Sequence, residues 1–178
     1  MTSASNAHAS LRRRIHRGLE SLFGPLGELD ERPARELLPP DALALFQRMS
    51  REDRAHSLRV HAWLAAHGYD QPDLLTAALL HDCGKAAARL SVWQRTLKVL
   101  LKHLAPGWWR KLAAPAPPES WRYPFHVLQE HPRIGAQWAR AAGCSELACW
   151  LIEHHESPSS LHPHADLLWA LTSADAAS

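Results

Sequence analysis

The chain has 178 residues, which is the length of one domain with modest additions. Hydrophobic residues make up 46% and charged residues 21%, so the composition is that of a globular protein and excludes a low-complexity or collagen-like chain. The 20 basic and 18 acidic residues leave a formal net charge of +2, and these totals give no support to a nucleic-acid-binding surface.

Apolar residues recur at helical spacing along most of the chain, and strict alternation is scarce, so we predict an all-α fold. Serine caps, prolines and glycines set the expected ends of the helices. The predicted helices are 11–22, one that starts near Asp41 after Pro39-Pro40, 51–68 with Ser50 as N-cap, 72–84, 92–104, 133–142, 146–155 with Ser145 as N-cap, and 164–177. Pro106-Gly107, 115–118 and 157–160 are predicted breaks, loops or turns.

We expect residues 1–45 to be an N-terminal helical extension and 46–178 to be the functional domain. No apolar run approaches the ~18 residues of a membrane-spanning helix, so no transmembrane segment is predicted. The three cysteines, Cys83, Cys144 and Cys149, lack CxxC spacing, which favours a reducing compartment over a disulfide framework. A cytoplasmic location is therefore expected.

A buried polar pair is predicted where the apolar run 74–80 ends in His81-Asp82. Composition alone gives roughly 0.6 His-Asp pairs by chance, so this pair gains its meaning from context. Burying a carboxylate beside an imidazole is costly unless a partner such as a metal compensates it. Further candidate ligands lie in or beside other apolar helical segments, and they are His56, His131, His154, His155 and Asp175.

The order of these residues resembles that of the HD-domain superfamily of metal-dependent phosphohydrolases, from about residue 50 to 178. The family pattern is a lone His, then His-Asp, further His residues and a final Asp. The matching segments are His56, 77–85, 131–136, 152–156 and 174–175. The resemblance implies an all-α bundle whose metal ligands project inward from several helices.

Family members with extra histidines between the His-Asp pair and the final Asp hold two metals, which implies a dinuclear site here. By that resemblance, His56, His81, Asp82 and Asp175 bind the first metal, and Asp82 bridges to a second metal held by His131 and His154. His155 is a further candidate ligand. Mixed imidazole and carboxylate ligands suit Fe, Mn, Zn or Co better than Mg.

The reaction implied by the resemblance is hydrolysis of a phosphate ester or anhydride of a small phosphorylated substrate, such as a nucleotide. Two cations about 3.5 to 4 Å apart would activate a bridging water. Asp82 and Lys85 are the expected catalytic residues, with Lys85 on the substrate phosphate. The branch that cleaves cyclic dinucleotides carries a Gly-Tyr-Pro signature soon after its His-His-Glu, and residues 157–161 differ from it.

Two other functions fit the same residues. A few family members with this ligand order are di-iron oxygenases, and a metal site can also be structural in a non-catalytic signalling module. The segment 93–112 adds an open question because it combines tryptophans with basic residues. This combination is typical of a lid over a cleft or of an interfacial helix that contacts a membrane peripherally. It is also typical of core packing, in which the cationic ends of the side chains extend to solvent.

Overall fold

A computed structural model describes residues 29–157 and 163–178. Nine α-helices and one 3₁₀ helix cover these ranges, and none of the described residues forms a strand, so the predicted all-α fold is confirmed. The α-helices are α1 (Arg32–Leu37), α2 (Pro40–Arg48), α3 (Arg51–Ala66), α4 (Pro72–Leu80), α5 (Val92–Leu104), α6 (Pro106–Leu112), α7 (Tyr123–Ala141), α8 (Glu146–His154) and α9 (Ala165–Ala177), and the 3₁₀ helix is Cys83–Ala87.

Local signals place most helix ends where they were expected. The hydroxyls of Ser50 and Ser145 accept hydrogen bonds from backbone N–H groups at the starts of α3 and α8. Gly68 and Gly143 follow α3 and α7 with positive φ angles of 82° and 80°. The predicted helix 11–22 and most of the predicted turn 157–160 lie outside the described residues.

The start of α7 was predicted wrongly. The helix begins at Tyr123, ten residues before the expected start at Arg133, and Pro132 lies inside it. A proline within a helix removes one i→i−4 hydrogen bond and usually ends or bends the helix. Here the burial of Phe125, Leu128 and neighbouring residues holds the helical turns on both sides of the proline.

The main core is built from α1–α4, α7, α8 and α9, and the first two helices are part of it. Ala42, Leu45 and Phe46 of α2 are buried there together with Leu64 and Leu168. The expected boundary between residues 45 and 46 therefore falls inside α2, and no break in the packing lies there. The described part of 1–45 buries apolar side chains against the rest of the chain.

A second, smaller core joins α5 and α6 to the first turns of α7. Trp109, Phe125 and Leu128 are buried in it, with Leu97 and Leu101 packed against them. Among residues 29–157 and 163–178, no helix is both long and apolar enough to cross a bilayer. The two cores meet along α7, beside the ends of α4 and α8.

Candidate metal centre

Six imidazole and carboxylate side chains from five parts of the chain converge between the two cores. The ends of α4 and α8 face α7, while α3 and α9 close the opposite side. The six residues are His56 of α3, His81 and Asp82 after α4, His131 of α7, His155 after α8 and Asp175 of α9.

Asp82 lies between two groups of ligand atoms. One group is His56, His81 and Asp82, and the other is Asp82, His131 and His155, with the ligand atoms of each group within 4.8 Å of one another. The Oδ2 atom of Asp82 lies 3.5 Å from His81 Nε2. Its Oδ1 atom lies 3.2 Å from His131 Nε2 and 3.9 Å from His155 Nε2. One carboxylate oxygen thus faces each group.

Asp175 completes the first group from α9. Its Oδ1 atom lies 2.8 Å from His56 Nε2 and 3.9 Å from His81 Nε2. Burial by itself raises the pKa of Asp175, but the hydrogen bond with His56 and the nearby His81 ring outweigh it and hold the pKa below its usual value. Asp175 is therefore a carboxylate at neutral pH.

Three of the histidines are oriented in the same way. The Nδ1 atoms of His81, His131 and His155 lie 2.9, 3.1 and 2.7 Å from the carbonyl oxygens of the residues three positions earlier, Ala78, Leu128 and Ile152. A carbonyl oxygen only accepts hydrogen bonds, so each Nδ1 carries the proton and donates it. The Nε2 atom of each ring then faces Asp82, and it is the atom of these rings that can donate a lone pair to a metal.

The carbonyls that orient these rings lack the usual helical donors. Ala78 and Ile152 lie in the last turns of α4 and α8, where carbonyls have no i+4 N–H within the helix. Leu128 lies in the middle of α7, but its i+4 residue is Pro132, which has no N–H. The proline inside α7 thus leaves one carbonyl free for the His131 ring.

The Nε2 atoms of His81 and His131 are buried without a hydrogen-bond partner among the described residues. Burial lowers the pKa of His131 and lowers that of His155 to about 3, so both rings are neutral at pH 7. The Nε2 lone pairs of His131 and His155 therefore face the Asp82 carboxylate. This arrangement is unfavourable unless a cation lies between the rings and the carboxylate. Ligand atoms held about 2.1 Å from a cation stand roughly 3 to 3.4 Å apart. Three of the observed separations are 2.8 to 3.5 Å, close to that range, and two are 3.9 Å. The donor set fits a divalent transition metal.

A layer of charged residues surrounds the six. The Lys85 ammonium donates to Asp82 Oδ2 and lies 3.9 Å from Asp53 Oδ1. Burial by itself raises the pKa of Asp82, but Lys85, His81 and His131 together outweigh it and hold that pKa well below its usual value. The guanidinium of Arg95 donates two hydrogen bonds to the buried Asp53 carboxylate, at 2.6 and 2.9 Å.

On the side of His131, Glu156 lies between two lysines of α5. Lys98 and Lys102 donate to its two oxygens at 2.6 and 2.8 Å, and its Oε1 atom is 3.8 Å from His131 Nε2. Burial by itself raises the pKa of Glu156, but the two lysines and His131 lower it below its usual value. The α5 helix therefore turns a cationic face toward the ligand cluster.

The position of Asp82 against α7 depends on Gly84. A Cβ atom at this position would lie 2.1 Å from the backbone oxygen of His131 and 2.7 Å from the backbone nitrogen of Gly135. The turn that carries Asp82 and Lys85 is thus in direct backbone contact with the helix that carries His131. No larger residue fits without separating them.

His154 does not join the cluster. Its Nδ1 lies 2.9 Å from the Trp150 carbonyl oxygen and its ring stacks on Trp150, with 5.0 Å between centroids. Adjacent residues at a helix end point about 100° apart, and it is His155 that faces Asp82. The expectation that His154 is the principal ligand beside His131 is corrected in favour of His155.

The two carboxylates of the charged layer, Asp53 and Glu156, were not anticipated as parts of the site. Asp53 lies in the first turn of α3, where its N–H donates to the Ser50 hydroxyl at 3.2 Å, and its place beside this cap gives no sign of a role in the site. Glu156 directly follows His155 and ends the segment 152–156 that resembles the family pattern, and these two signals could have pointed to it. No protein-family model, curated protein or solved structure matches the chain.

Proposed function

We propose that this chain is a metal-dependent phosphohydrolase of the HD-domain type that cleaves a phosphate ester or anhydride of a small metabolite. The observation that carries the proposal is the placement of Asp82, which has one carboxylate oxygen toward each of two histidine groups. Such a shared carboxylate is the arrangement of a dinuclear site. The unpartnered Nε2 atoms of His81 and His131 support metal binding on both sides of it.

The residues divide between two cations. His56, His81, Asp82 and Asp175 would hold one, and Asp82, His131 and His155 would hold the other. Two divalent ions bound there would lower the pKa of a water molecule and offset negative charge on phosphoryl oxygens. The hydrogen bonds from Nδ1 to backbone carbonyls keep each Nε2 lone pair directed at the centre before any ion binds.

The lysines of the charged layer favour the binding of an anionic substrate. The Lys85 ammonium donates to a carboxylate oxygen of Asp82 and has further N–H donors, so a phosphoryl oxygen bound beside Asp82 would accept a hydrogen bond from it as well. Lys98 and Lys102 stand on the His131 side and share the single carboxylate of Glu156. Cations therefore flank the cluster along α5, and Lys85 is assigned to the substrate phosphate.

The experiment that tests the proposal has two parts. Protein purified without added metal or chelator is analysed for its metal content, and activity is then measured on a panel of phosphomonoesters, phosphodiesters and nucleotides. We expect close to two equivalents of Fe, Mn, Zn or Co per chain and hydrolysis that a chelator abolishes. His81→Ala and Asp82→Ala should remove activity and most of the metal.

Matched controls separate loss of the site from loss of the fold. His61→Ala changes a histidine of α3 away from the cluster, and Asp41→Ala changes an exposed carboxylate of α2. Both should keep full metal content and activity. Full metal without turnover on any phosphoester would overturn the hydrolase assignment and favour a structural site. Oxygen-dependent turnover of a redox-active iron pair would favour an oxygenase.

A further inference from the structure

The segment 83–118 has an unusual charge composition. It contains seven Lys and Arg residues and no Asp or Glu, although about four acidic residues are expected in that length from the 18 in the chain. It comprises the 3₁₀ helix, α5 and α6. The near-neutral charge of the whole chain therefore hides one strongly basic stretch.

The basic residues of this stretch divide into two sets. Lys85, Arg95, Lys98 and Lys102 form ion pairs with Asp53, Asp82 and Glu156, which all lie outside the segment. The other set turns outward, and within the described ranges no carboxylate lies within ion-pair distance of its members. These are Arg89, Arg110 and Lys111, and all three are exposed.

Large apolar side chains are exposed on the same two helices. Trp93 and Leu104 of α5 are 58% and 73% exposed, and Trp108 of α6 is 71% exposed. The Nζ atom of Lys111 lies 5.7 Å from the centroid of the Trp108 ring. Exposed tryptophan, leucine and cationic side chains thus occur together on α5 and α6, and Trp93, Leu104, Trp108, Arg110 and Lys111 are called the outer surface below.

The outer surface is anchored on the smaller core. Trp109, next to Trp108, is buried and contacts Phe125 with 6.5 Å between ring centroids, and Trp93 contacts the same ring at 5.6 Å. The indole Nε1 of Trp109 donates a hydrogen bond to the side-chain oxygen of Gln129 of α7, at 2.7 Å. Exposure of Trp108 is therefore a consequence of the α6 backbone being fixed by its neighbour.

We propose that the outer surface of α5 and α6 docks peripherally on a lipid bilayer that carries anionic headgroups. Exposed tryptophan and leucine enter the boundary between headgroups and acyl chains, while adjacent Lys and Arg side chains pair with anionic lipids. Segment 83–118 carries no Asp or Glu, so its exposed side chains are apolar, cationic or neutral, a combination that matches the acyl boundary and the anionic headgroups of such a bilayer. This inference is independent of the proposed hydrolase activity.

The test is co-sedimentation of the full-length protein with vesicles of phosphatidylcholine alone or with 30% phosphatidylserine. We expect binding to the anionic vesicles that weakens as NaCl is raised, since salt screens the attraction. Arg110→Gln/Lys111→Gln should weaken the partition coefficient about 25-fold, because each cation near such a surface contributes about a fivefold factor. Trp108→Ala should weaken it roughly tenfold.

Controls use the same substitutions elsewhere on the surface. Trp169 of α9 is 64% exposed, and Trp169→Ala should bind vesicles as the wild type does. Arg35→Gln/Arg133→Gln removes two exposed cations from α1 and α7 and should also have no effect. Circular dichroism and the melting temperature check that each variant is folded.

Three outcomes would overturn the proposal. The first is no binding to anionic vesicles at low salt. The second is binding that the α6 variants leave unchanged or that the control variants reduce equally. The third is concentration-dependent self-association in the absence of lipid that Trp108→Ala abolishes, which would assign the surface to a second copy of the chain. None of these depends on metal content or hydrolysis.

Discussion

The imidazole of His131 donates its Nδ1 proton to the carbonyl oxygen of Leu128, 3.1 Å away, at the one place in α7 where Pro132 withholds the helical donor. A helix interior normally offers no free carbonyl, because each accepts from the N–H four residues later. The proline is thus a positioning residue for the ring, and the ring in turn directs Nε2 at Asp82.

Pro132→Ala should weaken metal binding by roughly tenfold or more, because the new N–H competes for the Leu128 carbonyl and loosens the ring. The melting temperature of the metal-free protein should stay the same or rise, since a proline inside a helix is unfavourable. Titration of the metal-free protein with Zn²⁺ or Mn²⁺ measures the affinity. Pro124→Ala, in the first turn of the same helix, is the control and should leave the affinity unchanged.

Gly84→Ala should be strongly destabilising, because the added methyl group would meet the backbone of His131 at 2.1 Å. A cost of about 3 kcal/mol corresponds to a melting temperature about 6 to 12 °C lower in a chain of this size. Metal content should fall as well, since Asp82 is displaced from α7. Gly107→Ala has open space around the new Cβ and should melt like the wild type. Equal melting temperatures for both variants would contradict the close contact.

His155→Ala should remove a large part of the bound metal, and His154→Ala should not. The reason is that His155 Nε2 faces Asp82 at 3.9 Å, while His154 stacks on Trp150. Metal equivalents per chain, measured side by side for the two variants, decide between them. Loss of metal in His154→Ala alone would restore the original expectation from the sequence.

Asp53→Asn should cost about 3 kcal/mol at pH 7, because it leaves the Arg95 guanidinium without its buried partner. Burial alone raises the pKa of Asp53, but hydrogen bonds from Arg95 and the charge of Lys85 outweigh it, so the folded-state pKa lies below the usual 3.8. A depressed carboxyl pKa contributes stability above the unfolded-state value, and that contribution is lost as the pH falls below it.

Chemical denaturation from pH 7 to pH 3 checks this dependence. The difference between wild type and Asp53→Asn should be constant down to about pH 5 and shrink progressively below it. Asp30→Asn is the control, since Asp30 pairs with Arg32 on the open surface and its removal should change stability very little at any pH. If the stability difference between wild type and Asp53→Asn instead grows as the pH falls, the lowered pKa of Asp53 is contradicted.

The amino-acid sequence by itself determined the helical fold and the places where most helices begin. Ser50, Pro72 and Ser145 act within a few residues of themselves, so local chemistry is enough to locate α3, α4 and α8. The sequence also singled out the candidate ligands, because imidazoles and carboxylates are rare in apolar helical segments.

Only the tertiary structure decided which of these residues meet. The choice between His154 and His155 depends on how α8 is rotated against α7, which no local pattern fixes. The roles of Asp53 and Glu156 depend on contacts with α5. Arg95 of α5 is 42 residues from Asp53 along the chain, and Lys98 and Lys102 are 58 and 54 residues from Glu156. The full length of α7 could not be predicted locally, because a proline usually marks the end of a helix. Packing of α7 against both cores outweighs the helix-breaking effect of Pro132.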